Sequence, residues 1–71
     1  MLTKTNAGYT IIAERNDFRG GTVVLGMRRQ PDGYDYVTWL SDGEAYFWGN
    51  YFDKANGHIF ADAVQDFQNR A

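Results

Sequence analysis

Eight of the chain's twelve aromatic residues lie between Tyr34 and Phe52. The centre of that stretch is Asp42-Gly43, a strong two-residue hairpin signal. Strand-forming runs flank it at Tyr34 to Ser41 and Glu44 to Gly49. Tyr34, Tyr36, Trp39, Tyr46, Phe47, Trp48, Tyr51 and Phe52 therefore spread over both faces of one hairpin. A chain of 71 residues has little other material with which to cover both. A domain of this size buries only roughly 60% of its unfolded surface, so its stability margin is thin. Its core must be dense in large side chains or be extended by association.

The register of the hairpin follows from the turn. A two-residue turn sets Ser41 opposite Glu44, then Leu40 with Ala45, Trp39 with Tyr46, Thr38 with Phe47 and Val37 with Trp48. Opposed residues share a face. One face is thus expected to carry Val37, Trp39, Tyr46 and Trp48, and the other Tyr36, Thr38, Leu40, Ala45 and Phe47.

Two strands precede the hairpin. Tyr9 to Glu14 is rich in β-branched and aromatic types. Thr22 to Arg29 alternates with period two, with Val23, Leu25 and Met27 on one face. Gly26 weakens a strand interior and marks a bulge or a close aromatic neighbour. Asn16 to Gly21 and Gln30-Pro31-Asp32-Gly33 are turns. Phe18, in the first of these, is placed to fold back as a lid on the core. Residues 1–7 are short and polar and read as a flexible N-terminal segment, leaving residues 8–71 as a single domain.

The last segment is helical, over about 58–70. Phe60, Ala63, Val64, Phe67 and Ala71 follow the spacing of an apolar stripe. Asp53 is a candidate cap for a helical turn, and Asn56-Gly57 is a break. The expected fold is α+β, a four-stranded antiparallel β-meander packed against one C-terminal α-helix. Its expected core is Val37, Trp39, Tyr46, Trp48, Phe60, Val64 and Phe67, with the helix on the Val37–Trp39 face. The aromatic residues left over, Tyr34, Tyr36 and Tyr51, form the candidate protein interface, since Tyr and Trp are enriched at interface centres.

Several chemistries find no support in the residues. The chain has no cysteine and one histidine, His58. Asp53, Asp62 and Asp66 are ordinary helix-surface carboxylates without a third convergent ligand, so no metal is expected. Ser41 lacks the surroundings of an activated nucleophile. The acid pairs Asp42 with Glu44 and Asp32 with Asp35 sit at solvent-facing turns. Gly20-Gly21 precedes a strand, not a helix, and has no lysine beside it, which is not a phosphate loop. No enzyme activity and no cofactor are expected. No apolar run approaches the roughly 20 residues that cross a membrane, and the first residues lack a signal-peptide core. The expected location is cytoplasmic.

The segments Tyr36-Val37-Thr38-Trp39 and Tyr46-Phe47-Trp48-Gly49-Asn50-Tyr51-Phe52, followed by Ala63 and Asp66-Phe67, resemble those of small bacterial domains carried by phages or conjugative elements. The resemblance spans about residues 9–70. It implies a compact sheet-and-helix domain and an accessory role directed at a host protein. Many of the resembling segments have His at the position of Asn50, so any role of that histidine is absent here. The Lys54 to His58 segment is also longer than the corresponding route into the helix.

Two functional expectations follow. The first is a protein-interaction domain, a homodimer or a mobile-element accessory protein acting on a host protein. The alternative is single-stranded nucleic-acid binding through aromatic sheet residues, with phosphate contacts from Arg15, Arg19, Arg28 and Arg29. The net charge of −2, and the opposite faces of Arg28 and Arg29 in a regular strand, place nucleic acid second.

Overall fold

The computed structural model describes residues 4–17 and 20–70. Phe18, the expected lid, lies outside the described residues, as do Arg19 and Ala71. The described chain forms β1 (Thr5–Asn6), β2 (Tyr9–Asn16), β3 (Thr22–Gln30), β4 (Gly33–Ser41) and β5 (Tyr46–Phe52). A 3₁₀ turn (Lys54–Asn56) and the helix α1 (Phe60–Asn69) follow. The strands pair antiparallel in the order β1-β2-β3-β4-β5. The expected four-stranded meander is therefore corrected to a five-stranded sheet.

The additional strand comes from a tight turn. Ala7 and Gly8 have φ of 52° and 83°. Positive φ at both central residues is the geometry of a type I′ hairpin, whose twist matches that of the strands it joins. Asn6 then pairs with Tyr9 and Thr5 with Thr10. The Ile11 N–H donates to the Lys4 carbonyl at 2.9 Å, extending the link along β2.

The sheet is curled into a half-barrel. The rings of Tyr9, on β2, and Tyr51, on β5, lie 6.2 Å apart although two strands separate them. A flat sheet would hold these strands about 14 Å apart. Tyr9, Val24, Val37 and Trp39 form a buried cluster on the concave face, with Ile11 and Tyr46 packed against it. Gly26 makes the packing possible. A Cβ there would meet Val37 Cγ1 at 3.0 Å, Tyr9 Cβ at 3.1 Å and Trp39 Cζ3 at 3.4 Å. The pairing of β2 with β3 also shifts between Ile11 and Ala13, and such a bulge sharpens local bending.

The helix covers the opposite face from the one expected. Alternation from the β3–β4 register places Val23, Leu25, Tyr36, Thr38 and Leu40 on one side, away from Val37 and Trp39. On that side α1 lies against β3, β4 and β5. Phe60 packs on Tyr36 with ring centres 5.0 Å apart. Polar contacts align the helix. Thr38, fully buried, donates its hydroxyl hydrogen to Asp66 Oδ2 and accepts from Arg70 Nη1 at 3.0 Å. Asn50 Nδ2 donates to the same Asp66 oxygen at 3.1 Å. Every member of this network is paired, the condition under which a buried polar group fixes an arrangement instead of weakening it.

Both ends of α1 are held. Asp62 reaches back to accept from the Ile59 N–H at 2.8 Å. At the other end Arg15 Nε donates to the Phe67 carbonyl at 2.6 Å, and its Nη2 donates to the Arg70 carbonyl. A cation at the helix C-terminus also complements the helix dipole. Before the helix, Asp53 caps the 3₁₀ turn, accepting from the Asn56 N–H at 2.8 Å, and Gly57 closes it at φ 80°.

Candidate functional site

The site begins at the loop after β4. Asp42-Gly43 does not make a two-residue turn. The Asp42 carboxylate accepts from the N–H groups of Glu44 and Ala45, both at 2.9 Å. Those bonds, the Glu44 one foremost, hold its pKa below the usual carboxylate range. They widen the connection to four residues, so Ser41 pairs with Tyr46 and Leu40 with Phe47.

The register then breaks. Thr38 pairs with Asn50 and Val37 with Tyr51, which leaves Trp48 and Gly49 opposite Trp39 as a bulge. Trp48 has φ 54°. That left-handed conformation is uncommon for any residue with a side chain and strained for a bulky one. Gly49 is there because nothing larger fits. A Cβ would lie 2.6 Å from Trp39 Nε1 and 2.8 Å from Tyr51 Cε1.

The bulge lies on β5, an edge strand that pairs with β4 among the described residues and carries exposed aromatic rings. Trp48 is 76% exposed, Tyr51 55% and Phe47 42%. The Phe47 and Trp48 rings lie 6.4 Å apart, tilted by 53°. Tyr51 leans over the mouth of the concave face, 6.2 Å from both Tyr9 and Trp39. Inside that mouth the Arg28 guanidinium sits 4.6 Å over the Tyr9 ring while its Nη2 donates to Asp35 at 3.1 Å. Burial pushes the Tyr9 phenol up, against the opposing pull of Arg28.

The sequence-derived assignments divide accordingly. Val37 and Trp39 are core, and Tyr46 is half-buried against Trp39 at 5.5 Å. Trp48, expected in the core, is on the surface because the wider loop and the bulge displace it from Val37. Val64 and Phe67 are half-buried under the sheet, and Phe60 is exposed except where it touches Tyr36. Tyr34 and Tyr51 are exposed. Tyr36, assigned to the interface, is half-buried beneath Phe60 because the helix lies on its face. Sequence reasoning missed Trp48 as a surface group, and it did not name Phe47 in the candidate interface. The available signal was Gly49, a glycine inside an aromatic strand.

Among the described residues, few cations are left for an anionic partner. Lys4 pairs with Glu14 at 3.0 Å, and that bond raises its pKa. Arg15 serves the helix end, Arg28 pairs with Asp35, and Lys54 donates to the Asp32 carbonyl at 3.0 Å. Arg29 is exposed and pairs along the sheet with Tyr34.

A groove of about 400 Å³ lies between the end of β5 and α1, lined by Phe52, His58, Asp62, Gln65, Asp66 and Asn69. His58 stacks edge-on against Phe52 at 5.2 Å. Among the described residues no group of three or more His, Asp or Glu could hold a metal ion. Nor is any helix among them long and apolar enough to cross a membrane. No family model, curated protein or solved structure matches the chain.

Proposed function

We propose that the protein binds single-stranded nucleic acid by stacking bases on the exposed aromatic side chains of β5. The observation that carries this reading is three exposed rings on one edge strand, Trp48 with Phe47 6.4 Å from it, and Tyr51 on the opposite face of the sheet from Phe47. Stacking is sequence-tolerant, and each base contributes about 1–3 kcal/mol as judged by alanine substitution. Backbone addition of a partner strand is less favoured at this edge. The bulge interrupts it, and Arg70 Nη2 occupies the Trp48 carbonyl.

The scarcity of uncommitted cations among the described residues makes a specific demand on this reading. Binding must be led by stacking, not by phosphate contacts. Each phosphate neutralised on a single strand steepens the logarithmic salt dependence by about 0.7. With one or two such contacts, the slope should be no steeper than about −1.5. The test is fluorescence anisotropy with labelled oligothymidylate and oligouridylate over a salt series, with a duplex of equal length as control. Single strands should bind with a shallow slope and the duplex should bind far more weakly. Equal binding of the duplex, or none of the single strands at low salt, would sink the proposal.

A second reading is a protein-docking or self-association surface at the same rim. The net charge of −2 and the exposed Ile59 and Phe60 at the start of α1 favour it. Its signature is a mass that doubles with concentration in light scattering and falls back on Tyr51→Ala.

A further inference from the structure

We infer that Arg70 is a positioning residue that holds Trp48 in its left-handed conformation, so that the indole stands as a preformed platform for a nucleobase. This inference rests on the stacking reading and says how the strand sustains it. A bulky residue at φ 54° does not keep that conformation without support from its surroundings. An indole that is 76% exposed obtains little of that support from packing. The support is on the backbone. Arg70 Nη2 donates to the Trp48 carbonyl, while its Nη1 donates to the Thr38 carbonyl at 2.8 Å and to Thr38 Oγ1 at 3.0 Å. One guanidinium thus bridges the fully buried centre of β4 to the bulged residue of β5.

A second tether lies two residues on. Asn50 Nδ2 donates to Asp66, which also accepts from Thr38. The bulge is held on both sides of Gly49, by Asp66 of α1 and by Arg70, the residue that follows its last turn. The planar, multi-donor geometry of arginine suits this bridge, and lysine has no equivalent fork. A ring fixed before binding loses little conformational freedom when a base stacks on it. The helix therefore serves the rim as well as the core.

A double-mutant cycle on oligothymidylate binding tests this, using Trp48→Ala, Arg70→Lys and the double variant, with circular dichroism confirming the fold. Trp48→Ala should weaken binding about thirtyfold, the middle of the range for a stacked base. Arg70→Lys keeps the charge and loses the fork, so it should weaken binding to a similar extent while increasing the mobility of the exposed indole in time-resolved anisotropy. The double variant should bind like Trp48→Ala alone. Native-like binding by Arg70→Lys, or losses that multiply in the double variant, would overturn the positioning role while leaving the stacking reading intact. Native-like binding by Trp48→Ala would remove both. Should Arg70→Lys lose the fold, Arg70→Gln carries the same comparison, because its amide still donates to a carbonyl. A salt slope that flattens by about 0.7 in that variant would instead make Arg70 a phosphate contact and overturn the inference.

Discussion

The two tryptophans stand opposite each other across the β4–β5 pair and live in different solvents. Trp39 is 4% exposed, edge-on to Tyr9 at 5.6 Å and enclosed by the curl of the sheet. Trp48 sits in the bulge that faces it and turns outward. The contrast shows that aromatic content alone does not separate core from surface in a small sheet. The local register does. One extra residue in β5 is enough to send a side chain of the same type from the core to the rim.

The sharpest way to break this comparison is to truncate each ring. Trp39→Ala should lose about 3–5 kcal/mol, as large buried aromatic residues do. Total stability for such chains is roughly 0.05–0.15 kcal/mol per residue, so this loss leaves little folded protein. Trp48→Ala should stay within about 0.5 kcal/mol, the usual range for a surface change. Urea denaturation of both variants decides the matter. Similar midpoints would mean that the two rings share one environment.

A smaller effect is expected at the contact between the two regions. Gly49→Ala puts a Cβ 2.6 Å from Nε1 of the buried Trp39. Overpacking of this kind destabilises by about 1–3 kcal/mol. The loss should therefore fall between those of the two tryptophan variants. An unchanged urea midpoint would show that β5 is not seated on Trp39, and the bulge would lose its structural basis.

These same residues mark where the fold was legible and where it was not. Period-two alternation places Thr22 to Arg29 and the run from Tyr34 as strands, the apolar stripe places the helix, and Gly26 marks a bulge or a close aromatic neighbour, of which the structure shows the neighbour, Trp39. Three features escaped. Thr5–Asn6 is too short to alternate, and its turn depends on Ala7 taking a positive φ that its residue type does not announce. Asp42-Gly43 reads as a two-residue turn, but the Asp42 carboxylate accepts from two N–H groups and holds a four-residue loop open. The face beneath α1 is set by Thr38, Asp66 and Arg70, a polar network to which hydrophobic periodicity is blind. The candidate site lies where the second and third of these meet. The expected register therefore puts Trp48 in the core, although it leaves Tyr51 on the surface.

The smallest effect sharpens the comparison through pH. Tyr9 is buried in the concave cluster, and burial raises its pKa because the phenolate would be poorly solvated there. The folded chain thus keeps Tyr9 protonated to a higher pH than the unfolded chain does. Its contribution is whole below the unfolded value of about 10 and is lost as pH rises through the raised folded value. Stability measured from pH 9 upward should fall in the native protein and in Trp48→Ala alike, since the rim takes no part. Tyr9→Phe keeps the ring beneath Arg28 and removes the ionisable group, so its decline over the same window should be shallower. An identical decline in Tyr9→Phe would place the alkaline transition elsewhere. It would also mean that the concave face admits enough water to solvate a phenolate, and the distinction between an enclosed Trp39 and an exposed Trp48 would then be one of degree.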